Sequence, residues 1–361
     1  MNLNPKLMNN IRQVTPYTPG EQKNEAIIKL NTNENPYPPS PMVAEVLKGL
    51  KTGDFRLYPD PDSKELKKTL ADYHQMNQNQ VFVGVGSDEV LALCFLTFFN
   101  SKHPILFPDI TYSFYKVWAN LYNVPYQMQT LDNDFRLVKY DYYKANGGII
   151  FPNPNAPTGI VEDLEFVECI LKENPNVVVI VDEAYIDYVG ESEGAGASAV
   201  DLMPKYNNLV VVRTFSKSRS MAGVRVGYAL AAPQLIQYLE DVKNSFNSYT
   251  MNLVSQKVAV ASVMDNVYFK EKIEKIISTR EWFIKELSLL GFETTDSKGN
   301  FVFTRHKECL ASFLFEGLKD QGIYVRHWNE ERIKDYLRIT IGTKSEMKML
   351  LEALKKLINT G

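Results

Sequence analysis

Residues 214–227 have the sequence Thr-Phe-Ser-Lys-Ser-Arg-Ser-Met-Ala-Gly-Val-Arg-Val-Gly, which is the most informative segment of this chain. The run before it, Leu209–Arg213, is typical of a buried strand, so Lys217 would lie at the mouth of a sheet. A lysine among small hydroxyl side chains and an arginine suits an amine that forms an imine. Side chains that could hold a phosphate group nearby are Thr214, Ser216 and Arg225. Taken alone, the stretch is equally compatible with a surface loop that carries a solvated lysine.

An acid follows another apolar run upstream of Lys217. Val178–Val181 has the continuous hydrophobicity of a fully buried parallel strand, and Asp182 and then Tyr185 come after it. A carboxylate at the carboxyl end of such a strand faces the crevice in which open α/β sheets bind ligands. Pyridoxal phosphate needs an acid at its ring nitrogen and a lysine for its imine, so these residues together predict that cofactor. Asp182 could instead cap the next helix, but that alternative leaves Lys217 and its phosphate-type neighbours unexplained.

A glycine turn after a third strand predicts an anion site. The apolar strand Val81–Val83 leads through a Gly-x-Gly turn at residues 84–86 into an apolar helix at Val90–Phe99. Glu89 stands where a dinucleotide fingerprint has its third glycine, so the turn favours a phosphate over a nicotinamide dinucleotide. The first backbone amides of the helix, which would face the anion, belong to Gly86, Ser87 and Asp88.

A rigid turn follows a fourth strand. Gly148–Ile150 is followed by Phe151–Gly159, in which three prolines and a glycine fix the backbone. Asn155 in this turn could reach a ligand at the strand end. It could equally make the local hydrogen bonds that are the more common use of asparagine in turns.

Together these motifs resemble the fold type I aminotransferases, the class II pyridoxal-phosphate-dependent family. The resemblance rests on Asn-Ala-Pro-Thr-Gly at 155–159, Asp-Glu-Ala-Tyr at 182–185, Ser-Lys at 216–217 and Gly-x-Arg-x-Gly at 223–227. Further motifs cover nearly the whole chain and narrow the resemblance to the histidinol-phosphate aminotransferase family. They are Leu-Asn-Thr-Asn-Glu-Asn-Pro at 30–36, Arg-Leu-Tyr-Pro-Asp at 56–60 and Leu-Arg-Ile-Thr-Ile-Gly-Thr at 337–343.

The resemblance implies roles in the cofactor site. Lys217 would form the imine and then act as the base that moves the substrate proton. Asp182 would pair with the pyridine nitrogen, Tyr185 would hydrogen-bond the phenolate oxygen and Tyr112 would stack on the ring. Tyr58 would reach the cofactor phosphate of a partner subunit, so the expected assembly is a homodimer. The other implied cofactor-binding residues are Gly86, Ser87, Asp88, Asn155, Thr214, Ser216 and Arg225.

The resemblance also implies substrate-binding residues. Arg338 would hold the carboxylate of the amino donor, and Arg326 would be a second, phosphate-binding arginine, because planar guanidinium groups suit carboxylate and phosphate alike. Tyr17 and Asn33 would belong to an N-terminal arm that closes over the substrate. Arg326 could instead be a solvated or salt-bridged strand residue, the commoner situation for an arginine.

One position departs from the family pattern. Many relatives carry a second asparagine in the turn, which binds the phenolate oxygen, and this chain has Ala156 there. Either Asn155 takes over through a shifted turn, or Tyr185 makes that hydrogen bond alone.

Composition bounds the remaining possibilities. With 361 residues, 45% hydrophobic and 23% charged, the chain is expected to form a globular protein of two lobes. A net charge of −3 gives no electrostatic reason to expect nucleic acid or membrane binding. No apolar run is long enough to span a membrane, and Met1–Asn4 lacks the start of a secretion signal, so a cytoplasmic location is expected. The three cysteines suggest free thiols in a reducing compartment, and the four histidines show no metal spacing, so no metal is expected.

The order of strand and helix patterns predicts an α/β fold. We expect a fold type I architecture, with a mainly parallel seven-stranded sheet in a large domain and a smaller α/β domain. The expected division is an N-terminal arm with part of the small domain at 1–45, a cofactor-binding domain at 46–250 and a C-terminal domain at 251–361. The seven expected strands are Val81–Val83, Pro104–Phe107, Val124–Gln129, Gly148–Phe151, Val177–Val181, Leu209–Arg213 and Arg225–Leu230.

The activity that the resemblance implies is a transamination in histidine biosynthesis. It would interconvert L-histidinol phosphate plus 2-oxoglutarate and imidazole-acetol phosphate plus L-glutamate. A threonine-phosphate decarboxylase-like lyase, or an aminotransferase for aromatic or many amino acids, stays open, because the same lysine and acid serve all of them. A non-catalytic cofactor-binding regulator is disfavoured, since no DNA-binding module precedes residue 30.

Overall fold

The computed structural model of the chain describes residues 5–18, 28–190 and 198–359. Parts of the expected N-terminal arm, at 1–4 and 19–27, lie outside the described residues. The first elements in the described part are a short helix α1 (Pro5–Met8), a short strand β1 (Ile28–Lys29) and a helix α2 (Pro41–Gly49). Helix α2 begins where it does because the Ser40 hydroxyl accepts a hydrogen bond from the Met42 amide and proline occupies the first turn.

The middle of the chain alternates helices and strands and forms the main sheet. In chain order its elements are α3 (Lys64–His74), β2 (Val81–Gly84), α4 (Gly86–Phe98), β3 (Ile105–Pro108), α5 (Phe114–Tyr122), β4 (Tyr126–Gln129), β5 (Ile149–Pro152), α6 (Leu164–Glu173), β6 (Val179–Asp182), β7 (Leu209–Thr214), β8 (Gly227–Ala231) and α7 (Pro233–Phe246).

The seven strands of this sheet lie in the order β2-β8-β7-β6-β5-β3-β4. Strand β8 is antiparallel to both of its neighbours, β2 and β7, and the other neighbouring pairs are parallel. Strand β2 therefore runs in the same direction as β7. The expected seven-stranded, mainly parallel sheet is confirmed.

Both faces of the main sheet are covered, as its continuous apolar strands require. Alternate residues of each strand point to opposite faces. Val179, Val181 and Val211 join one buried cluster, while Ile180 and Val210 join another. Strands β5, β6 and β7 are buried along their whole length, so the side chains able to meet a ligand are those at the strand ends.

The last part of the chain builds a second, antiparallel sheet. Its elements are α8 (Leu253–Met264), α9 (Asn266–Leu289), β9 (Phe292–Thr294), β10 (Phe301–His306), α10 (Ala311–Asp320), β11 (Ile323–Tyr324), β12 (Arg326–His327), β13 (Leu337–Thr340) and α11 (Lys344–Ile358). The strands lie in the order β12-β13-β10-β9, and β1 pairs in parallel with β11. The short strands β11 and β12 are separated by Val325 alone and belong to different sheets.

The buried clusters indicate which segments pack with the large lobe and which pack with the C-terminal lobe. Leu30, which directly follows β1, lies in the same buried cluster as residues of α9, β10 and α11. Helix α8 contributes Val258, Ala259 and Val263 to the core of the main sheet. We therefore propose that the large lobe extends through Met264, somewhat beyond the expected boundary at residue 250.

Candidate active site

The carboxyl ends of four strands lie at one edge of the main sheet, and polar residues lie at or near these ends. Because β2, β5, β6 and β7 run in the same direction, their carboxyl ends meet at this edge. Asp182 ends β6 and Thr214 ends β7, while α4 begins two residues after β2. Strand β8 runs the other way, so Arg225, just before it, arrives at the same edge. Residues distant in sequence thus lie together because the strand directions coincide.

Lys217 lies three residues beyond β7 and is half-buried. Its Nζ donates a hydrogen bond of 3.0 Å to the Thr32 carbonyl oxygen and lies 5.9 Å from the centre of the Tyr185 ring. The Asn35 side chain donates to the carbonyl oxygens of Lys217 and Ser218, which fixes the backbone of the turn. The alternative of a solvated lysine on a surface loop is therefore wrong.

Asp182 is buried and its carboxylate accepts two hydrogen bonds. Its Oδ2 accepts from the Tyr115 hydroxyl at 2.9 Å and its Oδ1 from the Ala184 amide at 3.2 Å. Burial raises the pKa of Asp182 to about 6, although these two hydrogen bonds act in the opposite direction. A buried carboxylate of this kind would be stabilised by a protonated ring nitrogen placed beside it.

The start of α4 offers an anion site built from backbone amides. No side chain caps this helix, and Ser87 and Asp88 of its first turn line a cavity. The backbones pack closely here, since a Cβ on Gly227 would lie 2.3 Å from the Ser87 nitrogen. Arg225 Nη2 donates to Asp88 Oδ2 at 3.1 Å, and its Nη1 donates to the Ser216 hydroxyl at 3.3 Å. Open amides, a hydroxyl and an arginine fit a phosphate group.

Two adjoining cavities meet at Lys217. The sheet-edge cavity, about 170 Å³, is lined by Ser87, Asp88, Asp182, Thr214, Ser216 and Arg225 among others. The arginine cavity, about 200 Å³, is lined by residues that include Tyr17, Asn33, Arg326, Trp328 and Arg338. Residues that line both are Thr32, Tyr112, Ala156, Tyr185 and Lys217. Lys217 can therefore reach a group bound in either cavity.

Two tyrosines expected to contact the cofactor ring lie between the cavities. The Tyr112 hydroxyl donates to Asp88 Oδ1 at 2.8 Å, which holds its ring at the sheet-edge cavity. The Tyr185 hydroxyl accepts from Asn33 Nδ2 at 3.0 Å, so it keeps its own proton for another acceptor. A cofactor phenolate oxygen would be such an acceptor.

Asn155 requires a correction. Its Nδ2 donates both hydrogens, to the Ile110 carbonyl oxygen and to the Thr158 hydroxyl, and its Oδ1 accepts from the Thr111 hydroxyl. No donor is left for a phenolate oxygen, and Asn155 lines neither cavity. The asparagine makes the local turn bonds, so Tyr185 is the remaining donor of the two considered for that oxygen.

The arginine cavity contains the expected substrate-binding residues. Arg338 on β13 donates from Nη2 to the Asn31 carbonyl oxygen at 2.7 Å, while its buried Nε has no hydrogen-bond partner among the described residues. Arg326 on β12 lies directly opposite Arg338 in the sheet. Tyr17 stacks on Phe114 with ring centres 4.3 Å apart and lines the same cavity. An orphaned guanidinium nitrogen in a positively charged cavity suits an anionic ligand.

Tyr58 is not brought to the cavities of its own chain. Its side chain is 80% exposed and stacks on Tyr249, with ring centres 4.6 Å apart. Phe55 and Leu57 are exposed near it in sequence, and Phe246 is exposed three residues before Tyr249.

Three residues of the candidate site were not predicted from the sequence. Tyr115, which bonds Asp182, lies inside α5 and resembles a core aromatic in the sequence. Trp328, in the arginine cavity, comes two residues after Arg326, and the period of two in a strand could have placed it on the same face. Thr32 contributes a backbone carbonyl, for which the sequence has no signal.

Residues 5–18, 28–190 and 198–359 contain neither a metal-binding group of side chains nor a membrane-spanning helix. Among them no group of three or more histidine, cysteine or acidic side chains is placed to hold a metal ion. Within the same residues no helix is both long enough and apolar enough to cross a bilayer.

The fold and site agree with the comparison to known protein families. Residues 25–354 match the family of class I and II aminotransferases. The chain belongs to this family and is a pyridoxal-phosphate-dependent transaminase.

The relatives narrow the class. Over 349 residues the chain is 52% identical to the histidinol-phosphate aminotransferase of Lactococcus lactis subsp. cremoris, with 96% of each chain covered. Over 349 residues it is 48% identical to the histidinol-phosphate aminotransferase of Clostridium botulinum, which covers 96% of this chain and 97% of that one. Its fold matches the histidinol-phosphate aminotransferase from Sinorhizobium meliloti in complex with pyridoxal-5'-phosphate, with a TM-score of 0.83, 22% identity and 92% and 91% of the two chains covered. The family expected from the sequence is confirmed.

Proposed function

We propose that the chain interconverts L-histidinol phosphate plus 2-oxoglutarate and imidazole-acetol phosphate plus L-glutamate, a step of histidine biosynthesis. The observation that carries this proposal is the arginine cavity. It is lined by the guanidinium groups of Arg326 and Arg338 together with Lys217, which also lines the sheet-edge cavity. A substrate with an amine at one end and an anion at the other fits this arrangement. Both glutamate and histidinol phosphate have that form.

The sheet-edge cavity would hold pyridoxal phosphate. Amides of Ser87 and Asp88, the Ser216 hydroxyl and Arg225 would bind its phosphate, with Thr214 beside them. Asp182 would hold a proton at the ring nitrogen by its negative charge, and Tyr185 would donate to the phenolate oxygen. When bound, this cofactor supplies an electron-accepting ring that stabilises negative charge on the neighbouring substrate carbon.

Lys217 would carry the proton during the reaction. Lys217 lines both cavities, so its amine would take a proton from the substrate carbon and return it on the cofactor side. Arg338 would orient the substrate by its carboxylate or phosphate, with Arg326 as the second phosphate contact. Tyr17 and Asn33 would cover the substrate and limit the entry of water, since both line the cavity wall.

We also propose that the active unit is a homodimer in the cytoplasm. The support is that Tyr58 is exposed beside other apolar residues, where a partner could receive it. Three unpaired cysteines accord with a reducing compartment. Mixing a Lys217→Ala variant with a Tyr58→Ala variant tests the arrangement, because a site completed in trans would regain activity in mixed dimers. Activity that stays absent after mixing would contradict it.

The deciding experiment is glutamate production from purified protein supplied with histidinol phosphate and 2-oxoglutarate. Carbon dioxide release from threonine phosphate without glutamate would favour the lyase alternative. Better turnover of phenylalanine or tyrosine than of histidinol phosphate would favour the aromatic alternative. Arg326→Ala should weaken the binding of histidinol phosphate much more than the binding of glutamate. Equal losses of affinity for the two substrates would contradict the role given to Arg326.

A further inference from the structure

The two arginines of the arginine cavity form a like-charge pair. Arg326 on β12 and Arg338 on β13 are direct partners in the antiparallel ladder. Side chains at such positions lie close together, and two like charges there destabilise the sheet. Burial lowers the pKa of Arg338, and the neighbouring Arg326 acts in the same direction. Without an anion, something else must hold these two cations side by side.

Hydrogen bonds explain only in part how these two cations are held side by side. Arg338 donates to the Asn31 carbonyl oxygen, and its Nε has no partner among the described residues. Arg326 forms no ion pair with any residue that the structure describes. Of the acids that line the cavity, Asp109 is bonded to Arg332 at 2.9 Å and Glu330 is exposed.

An indole ring contacts both arginines. The guanidinium carbons of Arg326 and Arg338 each lie 5.4 Å from the centre of the Trp328 ring. The guanidinium carbon of Arg338 also lies 5.6 Å from the centre of the Phe301 ring. The negative face of an aromatic ring attracts a cation by about 0.5–2 kcal/mol. Trp328 packs against the core of the main sheet, so its ring is held in place.

We propose that Trp328 joins Arg326 and Arg338 into one anion site and so determines the affinity for phosphate-bearing substrates. The ring keeps both guanidinium groups directed at the same cavity, where a phosphate with two or more free oxygens can bind both. This inference rests on the proposed function, since it concerns the same cavity. It adds a residue to which neither the fold nor the family resemblance gave a role.

The test uses inorganic phosphate as a competitive inhibitor of the cofactor-loaded enzyme, with glutamate as the varied substrate. The bound cofactor already fills the phosphate site at α4, so added phosphate reports on the arginine cavity. Trp328→Leu should raise the inhibition constant about tenfold, which corresponds to about 1.4 kcal/mol. Trp328→Phe keeps an aromatic face and should change it about threefold or less. Trp282→Leu is the matched control, because Trp282 contacts only Lys344 among the cations described and lies outside both cavities.

A double-mutant cycle separates this role from simple packing. In an Arg326→Met background there is no cation pair to hold, so Trp328→Leu should then change the inhibition constant about twofold or less. A tenfold effect that persists in this background, or no effect in the parent, would overturn the proposal. If the leucine variant loses its cofactor absorbance, Trp328→Met and Trp328→Phe carry the same comparison.

The outcome is independent of the substrate assignment. Phosphate inhibition requires only the arginine cavity and turnover of some amino donor. Failure to transaminate histidinol phosphate would reject the proposed function and leave the coupling between Trp328 and Arg326 measurable. An absent coupling in an enzyme that does transaminate histidinol phosphate would reject the role of Trp328 alone.

Discussion

The sheet-edge cavity and the arginine cavity share Lys217 and differ in how their charges are balanced. In the sheet-edge cavity Arg225 is paired with Asp88, and Asp182 accepts two hydrogen bonds. In the arginine cavity Arg326 and Arg338 face each other, and one buried nitrogen of Arg338 has no partner in the described part of the chain. The first cavity is organised before a ligand arrives, which suits a cofactor that stays bound. The second gains stability when an anion enters, which suits substrates that come and go.

The largest expected effect comes from the residue that the two cavities share. Lys217→Ala should lower the transamination rate by roughly 10⁴-fold or more, because both the covalent attachment and the proton carrier are lost. Borohydride reduction followed by mass analysis should find no adduct on the variant. Lys68→Ala, at an exposed ion pair on α3, is the control and should behave as the parent. An adduct of equal yield on the Lys217→Ala protein would contradict the assignment.

Asp182→Asn should impair cofactor binding in the sheet-edge cavity and leave the arginine cavity unaffected. An opposite charge shifts a titration by about one to three pKa units, so losing it should reduce cofactor affinity or rate by about 10- to 1,000-fold. Inhibition by inorganic phosphate in the arginine cavity should stay near the parent value. Asp163→Asn, which preserves the cap of α6, is the matched control.

Although Asp182→Asn should impair cofactor binding, the same substitution should stabilise the cofactor-free protein. Because burial raises the pKa of Asp182 from 3.8 to about 6, the folded protein keeps a proton that the unfolded chain releases between those values. The contribution of Asp182 to stability therefore falls as the pH rises through this window. Thermal melts without cofactor should show Asp182→Asn gaining stability relative to the parent from about pH 4 to about pH 7. A gain that is independent of pH would contradict the raised pKa.

The two cavities also differ in how far the sequence could predict them. Asp182, Thr214 and Lys217 follow apolar strands directly, and parallel strands bring their carboxyl ends to one edge. The local pattern was therefore enough to predict the sheet-edge cavity. Asn155 was one exception, because a turn asparagine can bond locally or to a ligand and only its actual partners decide. The contacts of Tyr115 with Asp182 and of the Thr32 carbonyl with Lys217 also had no signal in the sequence.

The arginine cavity is assembled from distant segments. Asn33 and Arg338 are separated by most of the chain yet lie together, since Asn33 bonds Thr340, two residues after Arg338. Strand pairing between β12 and β13 sets which arginines face each other, and no local pattern encodes that register. The family resemblance supplied Arg326 and Arg338, and the contact of Trp328 with both of them follows from the structure.

A smaller effect is expected from the close backbone packing at the phosphate end. A Cβ on Gly227 would lie 2.3 Å from the Ser87 nitrogen, so Gly227→Ala must push the start of α4 away. Strain of this kind costs about 1–3 kcal/mol, and cofactor affinity should fall by about 5- to 150-fold. Gly223→Ala is the control, because a Cβ there meets no atom within 4 Å. Equal cofactor affinities for the two variants, measured by absorbance titration, would contradict the argument.

The smallest predicted change tests the support behind Asp182. Tyr115→Phe removes the hydroxyl that donates to Asp182 Oδ2, so the pKa of Asp182 should rise further. The acid limb of the cofactor absorbance titration should then move to higher pH, and cofactor affinity near neutrality should fall about fivefold or less, as expected for about 1 kcal/mol. Tyr142→Phe is matched closely, because the Tyr142 hydroxyl is buried without a partner among the described residues. Its loss should leave the acid limb in place and leave stability unchanged or slightly higher. An acid limb that is the same in both variants would mean that the Tyr115 hydroxyl does not help to keep Asp182 ionised, and the Ala184 amide would then be the remaining hydrogen bond that opposes the effect of burial.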